Sequence, residues 1–451
     1  MPTATRHANV SPARACAFTV LRRVFEQDAY TDRAFAAEAR ELDPRDRALA
    51  MAISYGAVQR RATLDHVAGR LLSRPLRGLD APVIAVLRLG LIQILYLDGI
   101  ADHAAVHESV ELAKRSRPAA SGLVNAVLRR ATTEGREILA GLHDRDPDAA
   151  ALLHSVPVWL ARRWWAELGA DDARALLEAI NRPPESAVRV NTLVAGVEEV
   201  ARRLDVTVTA APGIPEGLVL GGAFDAERSG AWSEGAIMPQ SRGSMLVSRA
   251  LAPAAGERLL DLCAAPGAKT THLAALTEDD GEIVAVERHP GRADSLRRTC
   301  RRMRAGSVRV LTADAVGYTD GRPFDRVLVD PPCSGLGTLQ SRPDLRWRAS
   351  AESIDELAGV QRRILATAAN ATRPGGTLVY SVCTISQEEG PRQVQRFLQE
   401  HPDFEARDLA AELSPWAAAG IGGALQLRPD RDRTDGFFIA RLGRLRSRRY
   451  P

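Results

Sequence analysis

Apolar residues recur with helical spacing along the first third of the chain. Phe18, Leu21, Val24 and Phe25 follow the i, i+3, i+6, i+7 pattern of one stripe on an amphipathic helix. Similar stretches predict five further helices, over residues 47–60, 62–72, 80–97, 103–116 and 120–131. We therefore expect an all-α bundle over residues 11–135.

The longest apolar run, from Ala81 to Leu97, is interrupted by Arg88 and Gln93. A membrane-spanning helix needs about 20 predominantly apolar residues, and charges are rare within it. We therefore expect this run to form a buried helix of a soluble protein that does not associate with a membrane.

A different pattern, in which apolar strands alternate with helices, begins near residue 256. Strands are predicted at Arg258–Cys263, Glu282–Glu287, Ser307–Ala313, Phe324–Asp330 and Gly376–Cys383, and helices near 269–277, 291–303, 352–372 and 386–400. Alternation of this kind produces a parallel, doubly wound sheet. We expect Leu425–Leu427 and Gly436–Leu442 to add an antiparallel edge pair, joined by a polar turn.

The segment between these two regions has a mixed pattern. Helices are predicted near 157–168 and 171–181, and short strands around 187–192 and 205–210. We therefore expect three domains: an all-α bundle (11–135), a small α+β subdomain (145–235) and an α/β domain (236–445).

The composition adds to this picture mainly through the distribution of charge. The chain has 451 residues and a net charge of only +4, which does not by itself require a nucleic-acid partner. Residues 1–130 contain 19 Lys+Arg and 13 Asp+Glu, an excess of +6 that is typical either of an RNA-facing surface or of ordinary solvated helix faces. Only Lys114 and Lys269 are lysines among the 60 basic residues.

The five cysteines, at positions 16, 263, 300, 333 and 383, are far apart in the sequence and odd in number. No two of them have CxxC spacing, and no cluster with histidine has the spacing of a zinc site. We therefore expect reduced thiols, no metal site and a cytoplasmic location, since the polar N-terminus also lacks an apolar signal core.

The first strand of the α/β region ends in a loop of small residues, DLCAAPGAKT, from Asp261 to Thr270. Small residues let a ligand approach the backbone, and the amides of the following helix can bind a carboxylate. Glu287, at the end of the second strand, can accept hydrogen bonds from ribose hydroxyls. Asp314, after the third strand, can accept one from an adenine amino group. Each acid alone is equally typical of a helix cap, but together they predict S-adenosylmethionine as the ligand.

Two cysteines follow the fourth and fifth strands, in Asp330-Pro-Pro-Cys333 and Tyr380-Ser-Val-Cys383. Addition of a thiolate to C6 of cytosine makes C5 nucleophilic enough to accept a methyl group, and Asp330 can hold the N3/N4 edge of the base. A free cysteine has a pKa of about 8.5, so the attacking thiol needs a neighbour that lowers its pKa. The residues alone do not decide which cysteine attacks.

At these residues the chain resembles the bacterial small-subunit rRNA cytosine-C5 methyltransferases of the RsmB (Fmu/Sun) type, within the NOL1/NOP2/Sun family. The resemblance runs nearly end to end and includes LDLCAAPGAKTTHLA, VLVDPPCSGLGTLQSRPDLRWR and LVYSVCT. In the first domain, AVLRLGLIQILYL and GLVNAVLRR resemble the NusB-type RNA-binding helical domain of such proteins. NRPPESAVRVNTL resembles the start of the subdomain that precedes a Rossmann-like catalytic domain.

The resemblance implies specific roles for the site residues. Cys383 is the implied nucleophile, and Cys333 assists release of the product. Lys269 neutralises the methionine carboxylate or an adjacent acid. The implied S-adenosylmethionine site consists of Cys263, Ala264, Ala265, Pro266, Gly267, Ala268, Lys269, Glu287, Arg292, Asp314 and Asp330.

Three positions depart from the usual family pattern. Ala268 replaces a second glycine, which is tolerable if this position has a negative φ. Glu287 stands where aspartate is usual, and we expect its longer side chain still to reach the ribose. Gln240 is followed by Ser241 where aspartate is frequent, which leaves any helper role of that acid in doubt.

These observations predict an S-adenosylmethionine-dependent RNA methyltransferase that forms 5-methylcytosine in 16S rRNA through a covalent adduct between Cys383 and cytosine C6. We expect a monomer whose partner is RNA. Two alternatives stay open: the same chemistry on tRNA or another rRNA site, or an RNA-binding assembly factor whose methyltransferase fold has decayed.

Overall fold

The computed structural model describes residues 10–222, 224–409, 412, 413, 416 and 423–446. The chain forms two compact units. The first contains the described residues up to Arg182 together with Leu339–Arg348, and the second contains Pro183–Thr338 and the described residues from Ala349 onward.

The first unit is helical, as the sequence predicts. Prolines occupy the first turns of several helices, where a missing amide hydrogen is harmless, and Asp43 caps one of them by accepting from the amide of Asp46. Its helices before Arg182 are α1 (Pro12–Glu26), α2 (Thr31–Glu38), α3 (Pro44–Gln59), α4 (Arg61–Leu71), α5 (Ala81–Tyr96), α6 (Asp102–Ser116), α7 (Ser121–Arg130), α8 (Arg136–Ala140), α9 (Pro147–His154), α10 (Val158–Leu168) and α11 (Ala170–Ala179).

Helix α5 is the centre of this bundle, and the two polar residues that interrupt its apolar run are both buried. Arg88 forms a bidentate pair with Asp65 of α4, with both N–O distances 2.7 Å. The amide oxygen of Gln93 accepts from Nε of Arg14 on α1 at 2.7 Å. The two interruptions therefore connect α5 to neighbouring helices. Within the part of the chain that the structure describes, no helix has both the length and the apolar character that crossing a membrane requires.

The second unit contains two sheets. Its strands are β1 (Ala187–Val190), β2 (Val208–Ala211), β3 (Ile214–Leu220), β4 (Ile237–Pro239), β5 (Arg258–Leu262), β6 (Glu282–Glu287), β7 (Val308–Thr312), β8 (Phe324–Val329), β9 (Thr372–Val382), β10 (Phe404–Arg407), β11 (Leu425–Gln426) and β12 (Phe438–Arg444). Its helices are α12 (Val197–Arg203), α13 (Gly230–Ser233), α14 (Arg242–Leu251), α15 (Ala268–Leu276), α16 (Pro290–Arg302), α18 (Ala351–Ala371), α19 (Pro391–Glu400) and α20 (Pro429–Asp432), whereas α17 (Leu345–Arg348) belongs to the first unit.

The small sheet is antiparallel, with the order β2-β3-β1-β4, and confirms the expected α+β subdomain. The sequence pattern missed β3 and β4. Gly217 lies in the middle of β3 and Pro239 ends the three-residue β4, and glycine and proline both weaken a strand pattern.

The large sheet has the order β10-β12-β9-β8-β5-β6-β7, and its five strands from β9 to β7 are parallel. This confirms the Rossmann-like fold. The chain runs outward from β5 through β6 and β7 and then returns to β8 on the other side of β5. In open α/β sheets, ligands bind where the strand order reverses, at the carboxyl ends of the strands. Here that point lies between β5 and β8.

Two details of the large sheet correct the sequence-based expectations. The predicted antiparallel pair forms, because β11 pairs with β12, but its predicted edge position is wrong: β12 lies between β9 and β10, and the edge strand is β10. This strand has the sequence FEAR, and short charged strands of this kind protect sheet edges but give a weak hydrophobic pattern. The short helix α20 lies where a polar turn was expected, and α19 begins at Pro391 and not at 386.

One arginine of the first unit is completely buried. Arg346 of α17 has 0% exposure, and none of the described carboxylates forms an ion pair with it. Burial lowers the pKa of its guanidinium to about 9. Nη1 and Nη2 donate to main-chain carbonyls and to one side-chain oxygen, whereas Nε is buried without a hydrogen-bond partner, and these bonds fix the segment Leu339–Arg348 within the helical unit. The acceptors are the carbonyls of Gln59, His154, Ser155, Ile180 and Leu339 and the side-chain oxygen of Asn181.

We predict that Arg346→Met lowers the free energy of unfolding by about 3 kcal/mol, because several buried carbonyls lose their donor. Arg342→Met is a matched control in the same segment, since Arg342 is about half exposed and lies 3.5 Å from Asp32 in a surface ion pair. We expect it to change stability by less than about 0.5 kcal/mol. Urea denaturation followed by tryptophan fluorescence measures both effects. Equal midpoints for the two variants would contradict the structural role of Arg346.

Candidate active site

The loop that follows β5 has a tightly restricted backbone. Gly267 has φ +108°, and a Cβ at this position would lie 2.7 Å from Cδ1 of Leu296, so only glycine fits without movement. Cys263 also has a positive φ, of 67°. Ala268 is the first residue of α15 and does not have a positive φ, so the methyl group at this departure from the family pattern is accommodated.

The acids predicted at the strand ends lie at the same sheet edge as this loop. Glu287 ends β6 and is buried, and its carboxylate accepts from the amide of His289 at 2.8 Å. Arg292 lies 3.4 Å from the other oxygen of Glu287 and donates to the carbonyl of Ala265 at 2.8 Å. Asp314, two residues after β7, is about half exposed and accepts from the amide of Val316 at 2.9 Å. Their remaining lone pairs are free to accept from a nucleoside.

Lys269 and Asp330 form an ion pair at the switch point of the sheet, with 2.6 Å between Nζ and Oδ2. The pKa of the Lys269 amine is raised, so the amine stays charged. Burial alone would lower this pKa, but the negative charge of Asp330 and its hydrogen bond to the amine outweigh the effect of burial. The hydroxyl of Ser381, on β9, donates to the other oxygen of Asp330 at 3.1 Å. The structure thus gives Lys269 an acidic partner on the neighbouring strand end.

The two predicted catalytic thiols lie in contact, with 3.3 Å between the Sγ atoms of Cys333 and Cys383. The hydrogen bond with Cys383 is the main reason that the pKa of Cys333 is raised well above its usual value. Burial and the negative charges of Cys383, Glu389 and Asp330 add to it. These surroundings disfavour a thiolate on Cys333.

The turn that carries Cys333 is packed closely against the C-terminal part of the chain. The amide of Gly337 donates to the carbonyl of Cys383 at 3.1 Å. A Cβ on Gly337 would lie 2.0 Å from the carbonyl oxygen of Gly436, so the backbone approach requires glycine. This contact fixes the Pro-Cys turn relative to the end of β9.

The remaining three cysteines are also free thiols. Burial raises the pKa of Cys16 to about 11 and that of Cys300 to about 12. Burial likewise raises the pKa of Cys263, which lies in the cofactor loop. Elevated pKa values make these thiols poor nucleophiles. Among the residues that the structure describes, no group of three potential ligands could hold a metal ion.

Sequence reasoning missed several residues around this site. Ser381 of β9 holds Asp330, while Gln361 of α18 and Glu389 hold the turn that carries Cys333. The acidic pair Glu388-Glu389 was visible in the sequence but was placed in a helix. Ser241, where the family often has aspartate, caps α14 by accepting from the amide of Ser244 at 3.4 Å. Serine and aspartate serve equally well in that role.

The residues present fit S-adenosylmethionine. A restricted loop of small residues leads into the N-terminus of α15, whose amides suit a carboxylate. Glu287 and Asp314 provide acceptors at successive strand ends, on the side of the loop away from the thiols. This is the donor set that a nucleoside with an amino-acid tail requires.

Three family models match the chain. Residues 248–443 match the model described as 16S rRNA methyltransferase RsmB/F, and residues 11–133 match the NusB family. Residues 156–227 match the RsmF/B-like ferredoxin-like domain. Together these models cover the helical bundle, the small sheet region and the doubly wound domain.

Relatives and solved structures agree with the family models. The chain is 36% identical to the probable ribosomal RNA small subunit methyltransferase B of Synechocystis, covering 95% of this chain and 99% of that protein. It is 34% identical to ribosomal RNA small subunit methyltransferase B of Xanthomonas campestris, covering 98% and 99%. The crystal structure of PH0851 superposes with a TM-score of 0.81 at 29% identity, covering 96% and 99%. The chain therefore belongs to the ribosomal RNA small subunit methyltransferase B family of S-adenosylmethionine-dependent RNA methyltransferases.

Proposed function

We propose that the protein methylates C5 of a cytosine in 16S rRNA and that Cys383 is the nucleophile. The observation that carries this proposal is the contact between two thiols beside the Lys269–Asp330 ion pair, at the sheet edge where the cofactor loop ends. Methylation of an amino group needs no thiol, because nitrogen has its own lone pair. Methylation of cytosine C5 needs one, since that carbon is a poor nucleophile.

The chemistry assigns a task to each residue. Sγ of Cys383 bonds to C6 of the base, and the electrons of the C5–C6 double bond become available at C5. Asp330 accepts from the N4 amino group and thereby orients the base, and the ammonium group of Lys269, which Asp330 holds, offsets the negative charge that moves from the thiolate into the ring. S-adenosylmethionine, when bound, supplies the electrophilic methyl group. Loss of the C5 proton to a base then returns the C6–S electrons to Cys383, and Cys333 assists this release.

Electrostatics favours Cys383 over Cys333 as the attacking thiol. The attraction of Lys269 to Cys383 is one of the causes that raise the pKa of Lys269, which shows that a positive charge acts on this thiol. Cys333 faces the carboxylates of Glu389 and Asp330, which disfavour its thiolate. This asymmetry supports the assignment that the residue pattern alone left open.

The choice of RNA rests on the relatives. Proteins similar over nearly their full length are named ribosomal RNA small subunit methyltransferase B, and the matched family model is described as a 16S rRNA methyltransferase. The target base has to leave its stack to reach the thiols, which favours a cytosine in a loop or an immature rRNA.

We predict that Cys383→Ala abolishes transfer of tritiated methyl groups from S-adenosylmethionine to undermodified small-subunit rRNA, because C5 is no longer activated. Digestion of RNA treated with the wild-type protein is expected to yield labelled 5-methylcytosine. Cys300→Ala is the matched control, since that thiol packs on α16, and we expect its activity to stay within about two-fold of wild type. Methylation by folded Cys383→Ala would contradict the mechanism. No label on any RNA from the wild-type protein would favour a decayed scaffold.

We predict that Cys333→Ala accumulates a covalent complex between protein and RNA, because Cys383 still attacks but release is slowed. The complex is measured as a slowly migrating band on a denaturing gel in the presence of S-adenosylmethionine. The double variant Cys333→Ala/Cys383→Ala is the control and is expected to give no such band. A band of equal intensity from the double variant would exclude Cys383 as the attachment point.

We predict different kinetic effects for two carboxylates at this sheet edge. Asp330→Asn is expected to lower kcat about 10²-fold or more, because both the base and the Lys269 ammonium group that offsets the developing negative charge lose the carboxylate that orients them. Asp314→Asn is expected to raise the KM for S-adenosylmethionine with little change in kcat, because it holds the adenine equally before and during the reaction. Steady-state assays with varied S-adenosylmethionine measure both. The same kinetic effect in the two variants would contradict these roles.

A further inference from the structure

Six residues after Cys383 lies a carboxylate that the proposed mechanism does not use. Glu389 has 0% exposure, and no lysine, arginine or histidine in the described part of the chain forms an ion pair with it. A buried carboxylate without a cation is unfavourable unless hydrogen bonds compensate for its lost hydration. The partners of Glu389 therefore indicate why the chain places it there.

Glu389 holds the backbone on the C-terminal side of Cys333. Its Oε1 accepts from the amide of Ser334 at 2.8 Å and from Nε2 of Gln361 at 3.1 Å. Its Oε2 accepts from the hydroxyl of Ser334. Nε2 of Gln361 also donates to the carbonyl of Pro332 at 3.0 Å. The residues on both sides of Cys333 are thus held by one small network.

The same network reaches the strand end that carries Cys383. The hydroxyl of Ser334 lies 2.9 Å from the hydroxyl of Thr384, the residue directly after Cys383. The hydroxyl of Tyr380 donates to the backbone carbonyl of Glu389 at 2.5 Å. Glu389 therefore binds the residue after Cys333 directly and is linked to the residue after Cys383 through the hydroxyl of Ser334.

The charges around the two thiols differ. Cys333 faces Glu389, Asp330, Tyr380 and Cys383, none of which can be cationic. Cys383 faces the charged amine of Lys269. A proton shared between two sulfur atoms 3.3 Å apart is therefore more stable on Cys333.

We propose that Glu389 is a positioning residue that gives the two cysteines different roles. It holds the Pro332–Ser334 turn in place, and it keeps Cys333 protonated so that this thiol donates a hydrogen bond to a Cys383 thiolate. The reaction that uses this difference is the one under the proposed function. The difference itself is a property of the free protein, and it is measured without RNA or S-adenosylmethionine.

The test is alkylation of the free protein by iodoacetamide across pH 6–10, with the labelling of each cysteine followed separately by mass spectrometry. Only thiolates react, so the pH dependence reports the thiolate fraction at each site. In the wild-type protein, we expect Cys383 to react at lower pH than Cys333. In Glu389→Gln, we expect Cys333 to react about ten-fold faster at neutral pH, equivalent to a decrease of about one unit in its pKa.

Glu388→Gln is the matched control. It makes the same substitution at the adjacent residue, whose carboxylate contacts Ser386 and Arg392. We expect its alkylation profile to match wild type. Identical profiles in folded Glu389→Gln, Glu388→Gln and wild type would overturn the proposal.

A second variant covers the case in which Glu389→Gln does not fold. Ser334→Ala keeps the carboxylate but removes the hydroxyl that joins it to Thr384. We expect the ratio of Cys383 to Cys333 labelling at neutral pH to fall several-fold, because the two thiols are no longer held together. An unchanged ratio in folded Ser334→Ala would overturn the positioning role. Selective thiols in a wild-type protein that methylates no RNA would contradict only the proposed function.

Discussion

The ion pair between Lys269 and Asp330 joins the ends of two neighbouring parallel strands, and the site is organised around it. Lys269 stands one residue into the helix that follows β5, so the cofactor loop is fixed at its C-terminal end. Asp330 is also held by Ser381, which connects the pair to β9 and to the strand end that carries Cys383. Removal of either partner leaves a largely buried charge without compensation. This accounts for the retention of lysine here in a chain that otherwise uses arginine almost throughout.

Two identical functional groups in contact cannot both ionise at neutral pH, so their surroundings decide which one does. Under the proposed mechanism, residues on two different elements make this difference: Lys269 on α15, whose charge is attracted to Cys383, and Glu389 before α19, whose charge disfavours a thiolate on Cys333. The fold thus gives two identical cysteine side chains different surroundings and, under the proposal, different tendencies to ionise. The same thiols on a different arrangement of strand ends could exchange their roles.

Much of this architecture follows from patterns that a sequence displays. Strand–helix alternation predicts the parallel sheet. Because parallel strands bring the residues after β5, β8 and β9 to one edge, the sequence also predicts that Asp330 and the two thiols lie close together. The interruption of an apolar run by Arg88 and Gln93 identifies a buried helix, because both need partners. What the pattern does not contain is long-range pairing. Gln361 lies in the middle of a helix, and its contact with the carbonyl of Pro332 depends on the packing of α18 against the sheet. The central position of β12 is likewise a matter of tertiary pairing and leaves no local signal.

The chain enters the helical unit a second time, for ten residues after the Cys333 turn, and then leaves it again. Two side chains hold this ten-residue segment in the helical unit. Arg346 donates to acceptors from three different helical regions, and the ring nitrogen of Trp347 donates to the carbonyl of Val58 at 2.8 Å. The two units are therefore interleaved in sequence, and neither is an independent module that can be removed by a single cut. A gene that lost the first 182 codons would encode a chain in which Arg346 keeps the carbonyl of Leu339 but loses its acceptors at Gln59, His154, Ser155, Ile180 and Asn181.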